Sequence, residues 1–225
     1  LPDALPISRP DALAMIATDG VFSMDGDMAP LKMLALLARA ENATLYVDDA
    51  HGAGVIGPNG RGSAAYCGLG PREVALNLVT LGKAFGGYGA VLAGSTELIE
   101  GVLQNARAYR YTTALPPALA VAGRVAIGVA QKESWRRFKL TALVSRFRRG
   151  AQQLGLPLME SLTPVQPLLV GGNSAALYAA RELEKRGILV TAIRPPTEPE
   201  GRARLRVALS AAHSEGDVDR LLSAL

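Results

Sequence analysis

Two short apolar runs in this chain end in polar groups, and that pattern limits the folds open to it. Leu45-Tyr46-Val47 runs into Asp48-Asp49-Ala50-His51-Gly52. Val74 to Val79 runs into Thr80-Leu81-Gly82-Lys83-Ala84-Phe85-Gly86-Gly87-Tyr88-Gly89. Each run reads as a buried strand that delivers polar side chains at its C-terminal end. Helical patterns alternate with these strands, which implies parallel pairing in an α/β sheet. In an open sheet of that kind, ligands bind in the crevice outside the strand ends. Asp48, His51, Thr80 and Lys83 are therefore expected at a common place.

The rest of the chain extends the pattern. Residues 1–10 hold three prolines and no period, and are expected to be a poorly ordered or foreign leader. Ala12 to Ala17 predicts a strand leading into a turn-rich segment, Asp19 to Asp27. Pro30 opens a helix to about Asn42, with Leu31, Leu34, Leu37 and Ala38 on one face. Strands are predicted over 44–48, 74–80 and 89–94, and Thr96 is expected to cap a helix to about Tyr109. A helical region follows Pro117, and in its second part Trp135, Phe138, Leu143, Val144 and Phe147 are predicted to share an apolar face. The domain change is placed in this region, near 130. Beyond it come strand 166–170, helix 174–186, strands 188–193 and 204–209, and helix 215–225, which make a small α+β domain.

Composition narrows the function. Half of the chain is hydrophobic but only 5% is aromatic, which favours α/β packing over an all-β sandwich. A net charge of +4 suits anionic small molecules. It is too diffuse for nucleic acid, since no block of lysines with interleaved aromatics occurs. Cys67 is the only cysteine, so the chain has no internal disulfide and no cysteine cluster for a metal, and a reducing cytoplasm is expected. The apolar stretch Ala114 to Ala130 is broken by Pro116, Pro117 and Arg124, so no membrane span is expected. The first residues carry no basic segment followed by an apolar one, so no signal peptide is predicted.

A carboxylate, an imidazole, a hydroxyl and an amine at one place fit pyridoxal phosphate chemistry, in which a lysine holds the cofactor as a Schiff base. Asp48 is suited to stabilise a protonated pyridine nitrogen. Two unit charges about 4 Å apart attract by about 4 kcal/mol at an effective dielectric of 20. The alternative for Asp48 is a cap on the loop that follows it, and Asp49 reads as structural. His51 is close enough in sequence to reach the cofactor's phenolic oxygen. Ser23 and Thr80 offer hydroxyls at strand ends. Lys83 after Gly82 also invites comparison with a P-loop, but that motif needs glycine at position 77 and serine or threonine at 84, where the chain has Asn77 and Ala84. Arg204 and Arg206 share one face of a predicted strand, where one of them could hold a substrate carboxylate or both could line a solvated edge. Ile193-Arg194-Pro195-Pro196-Thr197 reads as a rigid turn. Ser214, with Asp217 three residues on, reads as a helix cap, and His213 as structural.

Taken together, these stretches resemble the α-oxoamine synthases, pyridoxal phosphate enzymes of fold type I. The matching segments are DGVFSMDGD (19–27), VDDAHGAGVIG (47–57), GRGS (60–63), TLGKAFG (80–86), YTTALPP (111–117), TAIRPPT (191–197) and ARLRVALSAAH (203–213). The resemblance implies a fold type I α/β architecture: part of a large cofactor domain with a mostly parallel sheet over 11–130, and a small C-terminal α+β domain over 131–225. It implies that Lys83 binds the cofactor covalently and then moves protons, and that Asp48 pairs with the pyridine nitrogen. His51 and Ser23 would contact the ring and its phenolic oxygen, and Thr80 the phosphate. Thr112 or Thr113 would reach the phosphate of a neighbouring subunit in a homodimer. Arg206 would hold the amino-acid carboxylate and Thr197 would line the substrate site.

The segments that best separate family members point to the branch serving biotin synthesis. There L-alanine condenses with a pimeloyl thioester, carried on CoA or on a carrier protein, with loss of CO2. Glycine with acetyl-CoA or succinyl-CoA is the alternative within the family. The resemblance also implies a larger N-terminal segment that supplies a phosphate loop and a histidine stacked on the cofactor. Neither His51 nor His213 stands where that histidine belongs. The chain is therefore expected to be a fragment with impaired activity, or an inactive piece that serves only in structure or interaction.

Overall fold

The computed structural model describes residues 13–225. The expected leader and the first residue of the predicted opening strand lie outside that range. Two compact units divide the chain, one made of residues up to Gly20 together with Ala29–Gln131, the other of Val21–Met28 with Lys132–Leu225.

In the first unit the order is β1 (Met15–Asp19), α1 (Leu31–Ala40), β2 (Thr44–Asp48), a 3-10 turn (Pro58–Gly60), α2 (Gly62–Tyr66), β3 (Leu76–Thr80), β4 (Ala90–Gly94), α3 (Thr96–Asn105), α4 (Arg107–Arg110) and α5 (Pro117–Lys132). The sheet runs β1-β2-β3-β4. The first two pairings are parallel, with Asp19 level with Asp48 and Asp48 level with Leu78. The third is antiparallel, so the sheet is mostly parallel, as expected, with one antiparallel edge strand. The reason is connection length: β3 reaches β4 through the loop 81–89 with no crossover helix, and a parallel return needs such a crossover.

Helix α1 forms because Leu31, Leu34, Ala35 and Ala38 recur on one face, and all four are buried. They pack against Leu45 and Val47 of β2. Asn42, at φ 48°, stops the helix in the left-handed conformation, and the Ala43 N–H returns to Ala38 O at 2.7 Å. The cap of α3 is Ser95 rather than Thr96, its Oγ accepting from the Leu98 N–H at 3.3 Å. The helix expected to run to Tyr109 breaks at Ala106, whose ψ of 101° is extended.

The second unit holds α6 (Trp135–Gln153), β5 (Val165–Gly171), α7 (Asn173–Lys185), β6 (Thr191–Ile193), β7 (Ala203–Ala208) and α8 (Glu215–Ala224). Its antiparallel sheet runs β5-β7-β6, so β7 is the central strand and not a solvated edge. Leu143, Val144, Phe147 and Ala151 of α6, Leu183 of α7, Leu205 and Val207 of β7, and Val218 and Leu221 of α8 form its core. Trp135 and Phe138 do not join them, being 53% and 73% exposed. Arg136 lies over the Trp135 ring at 4.6 Å, a contact that an exposed indole can make. The predicted cap of α8 is a full capping box: Asp217 N–H donates to Ser214 Oγ at 3.1 Å and Ser214 N–H to Asp217 Oδ2 at 2.8 Å.

The two phenylalanines of α6 separate burial from periodicity. Phe147→Ala is expected to lower stability by about 3–5 kcal/mol, and Phe138→Ala by less than about 0.5 kcal/mol. Urea unfolding followed by circular dichroism reads both; equal losses would show that the helix buries a different face.

Candidate functional site

The parallel register brings the ends of β1 and β2 level, and β3 runs two residues further on the same side. Asp19 closes β1, Asp48 closes β2, and Thr80 closes β3. Backbone bonds lock the exits: Gly20 N–H donates to Asp48 O at 2.7 Å and Asp49 N–H to Leu78 O at 2.8 Å. Asp48 Oδ1 accepts the Ala50 N–H at 2.9 Å, so this carboxylate does cap its own turn. That bond occupies one of its two oxygens.

Asp19, seen in the sequence only as the start of a turn segment, is an electrostatic member of this group. Burial pushes its carboxyl up from the ordinary value, the Asp48 charge pushes it further, and Lys83 pulls it down. Two carboxylates and one amine thus share a field at the strand ends.

Lys83 is exposed on a loop that is itself fixed. Leu81 N–H donates to Gly89 O at 2.8 Å, and Gly87 N–H to Leu81 O at 2.7 Å. The Leu81 side chain is buried and seats against Gly123 of α5, where a Cβ would come within 2.9 Å of Leu81 Cδ1. From the other side Gly54, at φ +79°, lies so close that a Cβ there would meet Ala84 Cβ at 2.9 Å. The amine is mobile only through its own side chain.

Thr80 carries the clearest sign of a ligand. Its Oγ1 is buried and, among the described residues, has no hydrogen-bond partner. A buried hydroxyl left unpaired costs about 1–3 kcal/mol unless something accepts from it. An anionic oxygen supplied from outside the chain would do so. His51 follows in the loop after β2 and is half-buried. Thr112 and Thr113 are exposed, in the turn between α4 and α5.

Asp49 has a different task. It is fully buried, its backbone O accepts from Gly52 and Ala53 N–H at 3.2 and 3.0 Å, and its Oδ2 accepts the Ser63 N–H at 2.9 Å. It therefore ties the glycine-rich loop to β2, the structural role expected of it. Gly62, at φ +89°, leaves the room: a Cβ there would overlap the carboxylate. Burial pushes the Asp49 carboxyl up to about 6, against the hydrogen bonds from Ser63.

Ser23, Thr197 and Arg206 fall in the second unit. Ser23 is half-buried in the loop 21–28, Thr197 is exposed in the turn after β6, and Arg206 is half-buried on β7. Arg206 Nε is also buried and, among the described residues, without a hydrogen-bond partner. Of the two arginines that share this face, Arg204 is the fully buried one, and it is already paired with Asp25 and Glu198. His213 serves structure, as expected: its Nδ1 accepts the Ser210 N–H at 3.1 Å.

Among the described residues no group of three or more His, Cys, Asp or Glu could hold a metal ion. Among them also, no helix is long and apolar enough to cross a membrane.

Comparison with known proteins places this arrangement. The family model for aminotransferase class I and II matches residues 4–225. The chain is 55% identical, over 216 residues, to the 8-amino-7-oxononanoate synthase of Xanthomonas campestris pv. campestris (strain B100), covering 96% of this chain and 54% of that protein. It is 54% identical to the enzyme of the same name from Xylella fastidiosa (strain M12), over 97% of this chain and 54% of that one. Among solved structures, 8-amino-7-oxononanoate synthase from Francisella tularensis aligns with a TM-score of 0.84 at 30% identity, over 95% of this chain and 62% of that one. A serine palmitoyltransferase from S. paucimobilis with a bound PLP–myriocin aldimine aligns with a TM-score of 0.90 at 26% identity, over 96% of this chain and 55% of that one. The chain thus spans about half the length of the curated relatives it matches.

Asp49 gives a pH test of the loop anchor. A carboxyl whose folded value lies above its unfolded one stabilises the fold only while protonated. That contribution is complete below about pH 4 and is lost as pH rises through about 6. The gap corresponds to about 3 kcal/mol. Asp49→Asn keeps an acceptor for the Ser63 N–H and removes the titration. The stability lost between about pH 4 and about pH 6.5 is expected to be about 2 kcal/mol smaller in the variant. Urea midpoints at both pH values decide this, and identical pH profiles would mean that Asp49 ionises freely inside the fold.

Proposed function

Since the chain belongs to the aminotransferase class I and II family and has the fold of the fold type I pyridoxal phosphate transferases, we propose that its residues serve the 8-amino-7-oxononanoate synthase reaction. In that reaction L-alanine condenses with a pimeloyl thioester and loses CO2. The observation that carries the reading is Asp48 and the unsatisfied Thr80 hydroxyl at the ends of the adjacent strands β2 and β3, with Lys83 on the loop that follows β3. The curated relatives of that name, at 54–55% identity, support the same choice of substrates.

The residues present fit pyridoxal phosphate. When bound, the cofactor supplies an electron sink for negative charge at the α-carbon of an amino acid. Thr80 Oγ1 donates to a phosphate oxygen and so loses its orphan status. Asp48 holds a proton on the pyridine nitrogen with the oxygen that its turn leaves over. His51 and Ser23 donate to or accept from the phenolic oxygen. Lys83 would hold the cofactor covalently through its amine and, once free of it, would serve as the base for the alanine α-proton. Its pinned loop keeps that amine within reach throughout. Arg206 meets the alanine carboxylate with the fork of its guanidinium, and Thr197 lines the substrate site. Thr112 or Thr113 reaches the phosphate in the partner subunit of a homodimer.

The test is chemical. The chain is mixed with pyridoxal phosphate, reduced with borohydride, digested and mapped by mass spectrometry. The pyridoxyl label is expected on Lys83 in the parent and absent from Lys83→Ala. Label spread over the surface lysines in both proteins would sink the assignment. Paired incubations of alanine with pimeloyl-CoA, glycine with acetyl-CoA and glycine with succinyl-CoA then separate members of the family. Product is expected only from the alanine pair.

A further inference from the structure

Arg204 lies on the central strand β7 with none of its surface exposed. A guanidinium buried this deeply needs partners for all its donors. One terminal nitrogen meets Asp25, the other meets Glu198, and Nε donates to Arg202 O at 3.2 Å. Asp25 and Glu198 are far apart in sequence and come from two different loops. Asp25 sits two residues after Ser23 in the loop 21–28. Glu198 directly follows Thr197. Arg204 is two residues from Arg206 along the same strand, on the same face.

The loop 21–28 is already pinned elsewhere. Gly26 O accepts from Ser161 Oγ at 2.9 Å and from Thr163 Oγ1 at 3.1 Å, and Phe22 N–H donates to Asp27 O at 2.9 Å. The turn that carries Thr197 has fewer ties: the Thr197 N–H donates to Arg194 O at 3.1 Å, and the Arg202 N–H to Pro199 O at 3.2 Å. Neither bond joins this turn to β7 or to the other loop, whereas the Arg204–Glu198 pair joins it to both. Three groups read above as ligand contacts thus hang on one guanidinium.

We propose that Arg204 is a positioning residue for recognition of the amino-acid carboxylate, its buried guanidinium holding the Ser23 loop and the Thr197 loop to the strand that carries Arg206. The proposal rests on the reading of Ser23, Thr197 and Arg206 in the preceding subsection. Only arginine suits this task. Its planar fork presents separate N–H groups to two carboxylates at once, whereas a lysine ammonium is a point charge without that geometry.

The mildest perturbation is Glu198→Gln, which keeps the size and the acceptor oxygen and removes the charge. Arg204→Lys is the second variant. Arg204→Met would leave two half-buried carboxylates unpaired and is avoided for that reason. The readout is the ratio of the dissociation constants of L-alanine and L-alaninamide, measured by calorimetry in the presence of pyridoxal phosphate. The two ligands differ only in the carboxylate, so a loss of global stability moves both affinities together and leaves the ratio. In Glu198→Gln the preference for alanine is expected to fall by about tenfold to a hundredfold, the scale of a small misplacement. Amide exchange over 22–27 and 197–202 is expected to quicken, with that of 143–147 unchanged. The borohydride label on Lys83 is expected to remain. A parent that prefers alanine and a Glu198→Gln variant that keeps the full preference overturn the clamp alone. A parent without the preference overturns the reading of Arg206, and the clamp falls with it.

Discussion

Met15 to Asp19 pairs with Thr44 to Asp48 residue for residue, so β1 and β2 end at the same level. Parallel strands bring all their C-terminal ends to one side, and the chemistry proposed for this chain depends on that. Asp19 and Asp48 become neighbours because the register makes them so, and Thr80 joins them from β3. Antiparallel β4 then returns from that side through the loop that holds Lys83. A return strand without a helix keeps the loop short enough to be fixed at both ends, by Leu81 and by Gly89. The lysine is therefore presented by a tight turn on the sheet rather than by a long excursion.

Two buried charges illustrate how differently a fold can accommodate one. Asp49 has no cation beside it. It is held by a backbone N–H and walled by glycines, and burial raises its proton affinity until it titrates near neutrality, at about 6. Its ionisation is tolerated at a cost, in return for a loop anchored to β2. Arg204 has the reverse arrangement, with two carboxylates on one guanidinium. There the charge is overcompensated, and the surplus negative charge stands two residues from Arg206. Neither group touches the proposed reaction. Both decide where the groups that do touch it are held.

Much of this was legible in the sequence. Strand β2 follows from its apolar run to the residue, because Asp48 ends it with a charge and Asn42 ends the helix before it. Strand β1 is displaced from its expected place, since turn-forming residues at Thr18 and Asp19 look like a loop until the register with β2 carries the strand through them. The Lys83 loop and the capping box at Ser214 needed only local spacing. What local spacing could not give was partnership across distance. The period that aligns Trp135 and Phe138 with Phe147 is real, but the core covers only the later turns of α6. Arg204 and Arg206 look alike on an alternating strand. Which one is buried is settled by Asp25 and Glu198, and nothing near β7 in the sequence announces Asp25. The unpaired state of the Thr80 hydroxyl has the same character, because it is a statement about everything around Thr80.

The charges at the strand ends also say what kind of molecule belongs there. Asp19 and Asp48 face one cation, Lys83, so the group is one negative charge in excess when all are ionised. That excess favours a ligand with a positive group near Asp48. The lone hydroxyl of Thr80 asks for the opposite, an oxygen acceptor. A simple phosphate answers only the second demand, and a simple amine only the first. A nucleotide would bring phosphates, but a neutral base would leave the Asp48 side unmatched. A protonated pyridine that carries a phosphate ester and a carbonyl meets both demands and gives the lysine something to bond. A carboxylate at Asp48 would favour a positive charge on such a ring, and the Lys83 amine would bond its carbonyl.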